Sequence, residues 1–114
     1  MWLRLSFTGS GRPTNHQKMT LSEFKTSLEL NTEPNEVELY LLAMWKDAKG
    51  NWSEAHNIVQ EIDHPDAAWI HAYLHRKEGD EFNAKFWYNL AGKKFPAKSL
   101  QEEWEEISSY FLSR

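Results

Sequence analysis

The sequence contains no cysteine, so disulfides and thiolate metal sites are excluded. That absence fits a cytoplasmic protein. No apolar run approaches the roughly 20 residues needed to cross a bilayer, and no membrane association is expected. Positive charge is not in excess: the net charge is −4, so no broad basic field is present to hold nucleic acid. Acids are missing from the first 22 residues, a composition weakly like a transit peptide. Residues 1–18 instead read as a flexible leader or extension outside the fold, punctuated by Gly9-Ser10-Gly11-Arg12-Pro13. The opening segment, Met1 to Phe7, is too short for a secretory core and is interrupted by Arg4. Strict apolar–polar alternation is also lacking, so no strand is expected.

What remains is a single domain over 19–114, rich in aromatics. Six tryptophans in 114 residues read mainly as seam-filling core. A chain this long buries roughly two-thirds of its unfolded surface, enough for one core without staples.

Six helices follow from periodicity and punctuation. Thr20 and Glu23 form a capping box before the stripe Leu21, Phe24 and Leu28, and Asn31-Thr32 ends that helix. Pro34 suits a first helical position, giving a second helix over 34–49 with Val37, Tyr40, Leu41, Met44 and Trp45 on a broad apolar face. Gly50 fits a left-handed helix end, and Asn51 caps a third helix over 52–62. Pro65 opens a fourth helix that runs to Glu78 and is closed by Gly79. Asp80 caps a fifth, whose apolar stripe is Phe82, Phe86, Trp87, Leu90 and Ala91, with Gly92 as its end. Ser99 and Glu102 form a second capping box for a sixth helix to about 112, carrying Trp104, Ile107, Tyr110 and Phe111. Glu102, Glu103, Glu105 and Glu106 read as its solvated face, and Asp47 and Glu54 as surface carboxylates. Lys77, Lys85, Lys93, Lys94 and Lys98 also read as a solvated face.

One phrase occurs twice. Lys49-Gly50-Asn51-Trp52-Ser53-Glu54-Ala55 is echoed by Glu78-Gly79-Asp80-Glu81-Phe82-Asn83-Ala84. In the same frame Leu41 matches Ile70, Ala43 matches Ala72 and Trp45 matches Leu74, all 29 residues apart. Such an offset marks a helix pair repeated and stacked. Gly-Asn/Asp-x-x-x-Ala between amphipathic helices resembles the tetratricopeptide repeat, and 83–91 resembles the second helix of the Sel1-like repeat. The period is shorter than the family's usual length of about 34 residues. The whole is similar to small uncharacterised bacterial helical-repeat proteins. The resemblance implies an all-α fold of stacked antiparallel hairpins, a tetratricopeptide-like superhelix, with the first and last helices capping the stack. It further implies a scaffold that binds a peptide or protein segment on the face lined by the second and fourth helices.

The leading functional expectation is therefore a non-enzymatic interaction module. Its groove would present Trp45, Trp69, His71, Tyr73, His75 and Arg76, and no cofactor is called for. A second expectation rests on histidines. His71 and His75 are four apart on one helix, so their rings share a face and can share a divalent metal. A third ligand would come from His56, His64 or Glu54, giving a metal- or ligand-binding protein, with hydrolysis open as its activity. Ala72 follows His71 where the metalloprotease pattern requires glutamate, so that chemistry is not supported. In the repeat frame both histidines fall on packing positions, and burial would keep them neutral at pH 7. A third expectation is self-association through exposed tryptophans.

Overall fold

The computed structural model describes residues 19–114. The expected leader, 1–18, lies outside the described residues. Among those described the fold is all-helical: α1 (Leu21–Glu29), α2 (Leu39–Ala48), α3 (Trp52–Val59), α4 (Pro65–Lys77), α5 (Glu81–Ala91) and α6 (Leu100–Leu112). No helix there is long and apolar enough to cross a membrane.

The helix starts follow their caps. Thr20 accepts from the Glu23 amide while the Glu23 carboxylate accepts from the Thr20 amide, and Ser99 and Glu102 repeat the arrangement on α6. Asn51 and Asp80 each accept from the amide three residues on, at the heads of α3 and α5. Gly50 and Gly79 turn the chain between the paired helices with φ of +85° and +90°. A Cβ built at Gly79 meets nothing within 4 Å, so Gly79→Ala is opposed by the backbone alone. A thermal melt of that variant is expected to show a loss of about 1–2 kcal/mol.

Two helices are shorter than the punctuation suggests. α2 begins at Leu39, not Pro34. Pro34 is buried within the preceding loop, and Glu36 sits at φ +60°, outside the right-handed region a continuing helix needs. α3 ends at Val59, three residues short of Ile62. Pro65 forces His64 into extended backbone (φ −157°, ψ 143°), and the chain needs the intervening residues to turn into α4.

α4 is the central helix. Eight consecutive residues, Ala67 to Leu74, are buried. α2 and α3 pack as one antiparallel hairpin, α4 and α5 as the next, and α6 lies against α2, α4 and α1. Indole N–H groups buried in these seams are satisfied: Trp45 donates to Ser27 Oγ, Trp104 to the Met44 carbonyl and Trp69 to Glu103.

Six side chains stand differently from their sequence reading. Glu103 is not on a solvated face, and Asp47 is not at the surface; each is 1% exposed. Asp47 accepts from Lys77 Nζ at 3.1 Å through both oxygens. Conversely, the fifth helix does not bury its whole stripe. Phe82, Phe86 and Leu90 are 84%, 53% and 53% exposed, because Ala84 and Tyr88 on the opposite side are the residues turned to α4. Tyr110, placed on the apolar stripe of α6, is also exposed.

Candidate functional site

α4 carries His71 and His75 one turn apart, their rings stacked at 4.9 Å. His71 belongs to the buried run and is 5% exposed, while His75 sits one turn nearer the helix end and is half-buried. α3 crosses beside this turn and brings in His56, whose ring stands edge-on to both, 4.6 Å from His71 and 5.3 Å from His75. One ligating nitrogen from each of the three falls within 4.8 Å of the others. The sequence left the third ligand open. The structure joins His56 and leaves out the alternatives: His64 caps α4 by accepting from the Asp66 amide, and Glu54 pairs with Lys46 at 3.2 Å.

Two indoles wall the cluster. Trp52, one turn before His56, stacks on it at 4.8 Å and 10°. Its N–H donates to the Leu74 carbonyl at 2.8 Å, which pins α3 to α4. Trp87 of α5 stacks on His71 at 3.9 Å and 20°. Trp52–His56 at i,i+4 and His75–Glu78 at i,i+3 are sequence signals at helical spacing, but Trp87 arrives from another helix and has none.

The protonation pattern follows from these contacts. His71 is held down to about 4, from an ordinary 6.5, by burial first and then by the neighbouring His56 and His75. His56 is lowered too, again by burial first and then by His75. Their Nε2 atoms are 2.9 Å apart, so one carries a proton and donates to the lone pair of the other. His75 Nδ1 lies 2.7 Å from Glu78 Oε2. A carboxylate accepts, so Nδ1 is the protonated nitrogen, and in the neutral ring the Nε2 lone pair is left free. That is the outer carboxylate–histidine contact that orients metal-ligating imidazoles. A second grouping, His75, Glu78 and Asp80, also lies within 4.8 Å, but Asp80 is engaged at the head of α5 by the amide and side chain of Asn83.

The six residues expected to line a peptide groove are placed differently. Trp45, Trp69, His71 and Tyr73 are buried, and His75 and Arg76 are half-buried. α6 lies across the α2/α4 face, where Trp104 donates to the Met44 carbonyl and Glu103 accepts from Trp69 and Arg76. None of the tryptophans in the described residues is exposed; the exposed aromatics are Phe82, Phe86 and Tyr110. The basic residues are largely engaged: Lys85 with Glu81, Lys98 with Glu106, and Lys93 over the Trp69 ring at 4.0 Å. No family model, curated protein or solved structure matches this chain, so its chemistry is read from its own residues.

Proposed function

We propose that this chain is a helical metal-binding protein that holds one divalent transition-metal ion on His56, His71 and His75. The observation that carries this reading is the convergence of three imidazole nitrogens, from two helices, within 4.8 Å of one another. In a tetrahedral site with metal–nitrogen bonds of 2.0–2.1 Å, ligand nitrogens stand about 3.3 Å apart. The 2.9 Å His56–His71 contact is close to that, and His75 offers its nitrogen within 4.8 Å of both. An all-nitrogen donor set suits zinc, copper or nickel over magnesium or calcium. His56 and His75 are half-buried, and an ion held tetrahedrally by three histidines keeps its fourth position for water.

The ion's role would be structural. α3 belongs to the first hairpin and α4 to the second, so the ligands bridge successive units of the 29-residue repeat. A metal there would staple two hairpins in the tetratricopeptide-like stack that the repeat suggests. Glu78, the carboxylate at the site, is committed to His75, which suits orientation rather than proton transfer. The α2/α4 peptide groove has less in its favour, because α6 occupies that face. A cytoplasmic setting accords with the cysteine-free composition.

The test is calorimetric titration of the chelator-treated full chain with Zn²⁺, paired with a thermal melt. One ion per chain is expected. At a hundredfold over the dissociation constant the folded form gains about 2.7 kcal/mol, several degrees in Tm. His56→Gln and His75→Gln, both at half-buried positions, should weaken binding at least tenfold, and His64→Gln should not. Copper(II) should quench tryptophan emission, since Trp52 and Trp87 flank the ligands. Zinc uptake unchanged in both His56→Gln and His75→Gln would end this reading.

A further inference from the structure

We infer that α5 is a self-association surface that pairs antiparallel with α5 of a second copy of this chain. Phe82, Phe86 and Leu90 recur at every fourth residue and stand 84%, 53% and 53% exposed. Residues at that spacing form one stripe along a helix. α4 is the helix against which α5 packs extensively, and it covers the side carrying Ala84 and Tyr88. Among the described residues the stripe therefore runs along the uncovered side of α5, at the edge of the second hairpin. In a stack of helical hairpins, an outer face left apolar is a face awaiting a neighbour.

The charges choose the neighbour. Acids stand at the head of the helix, Asp80 and Glu81, and bases just beyond its end, Lys93 and Lys94. A helix acidic at one end and basic at the other is complementary to its own reversed copy. Centring the pair on Phe86 sets Phe82 opposite the second copy's Leu90, and brings the basic end of each helix to the acidic head of the other. The apolar stripe and the charges are satisfied in the same register. That agreement distinguishes a second copy from a foreign amphipathic helix, which would need to match only the stripe. The pairing does not depend on metal, and it is tested in chelator so that its outcome is separate from that of the histidine site.

Sedimentation equilibrium of the full chain, from micromolar to several hundred micromolar, should show a mass rising from one chain of 13.5 kDa toward two. Phe86→Glu should weaken the association at least tenfold with the helical content unchanged. Lys93→Glu with Lys94→Glu, or high salt, should weaken it severalfold. The lack of cysteine makes the register directly readable. Phe86→Cys sits on the two-fold axis and should oxidise to a linked dimer. Phe82→Cys should not link to itself, because the two copies of that position are eight residues out of step, about 12 Å along the helix. Mixed Phe82→Cys and Leu90→Cys chains should link. A mass that stays at one chain throughout overturns the inference, whether the stripe is then open to a different partner or covered by the chain's own first 18 residues. So does an association unmoved by Phe86→Glu, or self-linking of Phe82→Cys that matches Phe86→Cys.

Discussion

Glu103→Gln should be the most damaging conservative substitution in the described fold, with a loss of about 3 kcal/mol or more. The side chain is 1% exposed and meets only donors. Trp69 Nε1 donates to one oxygen at 3.2 Å and Arg76 to the other at 2.8 Å, while the Tyr88 hydroxyl stands 2.6 Å and 2.8 Å from the pair. An ionised carboxylate offers acceptors alone, so it suits the three donors around it. The amide keeps one acceptor, turns two N–H groups on groups that also donate, and leaves Arg76 without its counter-charge. Burial and the carboxylate together push the Tyr88 hydroxyl far above its ordinary range, so Tyr88 remains a donor throughout. The network joins α4, α5 and α6, and the damage should be cooperative. At 4–8 °C per kcal/mol for a domain near this size, Tm should drop by more than 10 °C. Tyr88→Phe should cost clearly less in the Glu103→Gln background than in the parent, which a double-mutant cycle measures. A Tm within a few degrees of the parent would show that the carboxylate is not the hub.

Glu103 also shows what one chain can and cannot tell a reader. The six helices were legible because their signals are local: capping boxes at Thr20 and Ser99, turn glycines at 50 and 79, and i,i+4 apolar spacing. Four glutamates near a helix head look alike in sequence, yet α6 presents Glu103 inward, where three other side chains decide its environment. The α5 stripe misled for the reciprocal reason. Periodicity shows that Phe82, Phe86 and Leu90 share a face, but which face α4 covers is set by packing, and α4 met the side with the small Ala84. The same divide runs through the histidine site. The His71–His75 pair was visible from spacing. The choice among His56, His64 and Glu54 depended on how α3 crosses α4. The loop before α2 depended on a left-handed Glu36 that no residue preference announces.

The histidine cluster should make the fold acid-sensitive well above the range where carboxylates titrate. The sign follows from linkage. His71 takes up a proton near pH 6.5 when the chain is unfolded but only near pH 4 when folded. Between those values the unfolded state binds more protons, so stability falls as pH falls. It is fully present above about 6.5 and lost progressively toward about 4. His56, lowered by the same burial, adds in the same direction. For His71 alone, buried against Trp87 and facing His56 and His75, the loss across the window is of order 2–3 kcal/mol. Urea midpoints measured from pH 7 to pH 4.5 stop short of most carboxylate titration and isolate this slope. His71→Gln should lower stability at pH 7 but flatten the slope, because the group that cannot be protonated in the fold is gone. Zinc should oppose the acid loss at pH 6 and help less as pH falls, since protons and metal compete for the same lone pairs. Near pH 7 the two shifted rings are already neutral, so those two should release few protons on metal uptake. Calorimetry in buffers of different ionisation enthalpy reads that number directly. Equal pH slopes in the parent and in His71→Gln would mean that some other group sets the acid response.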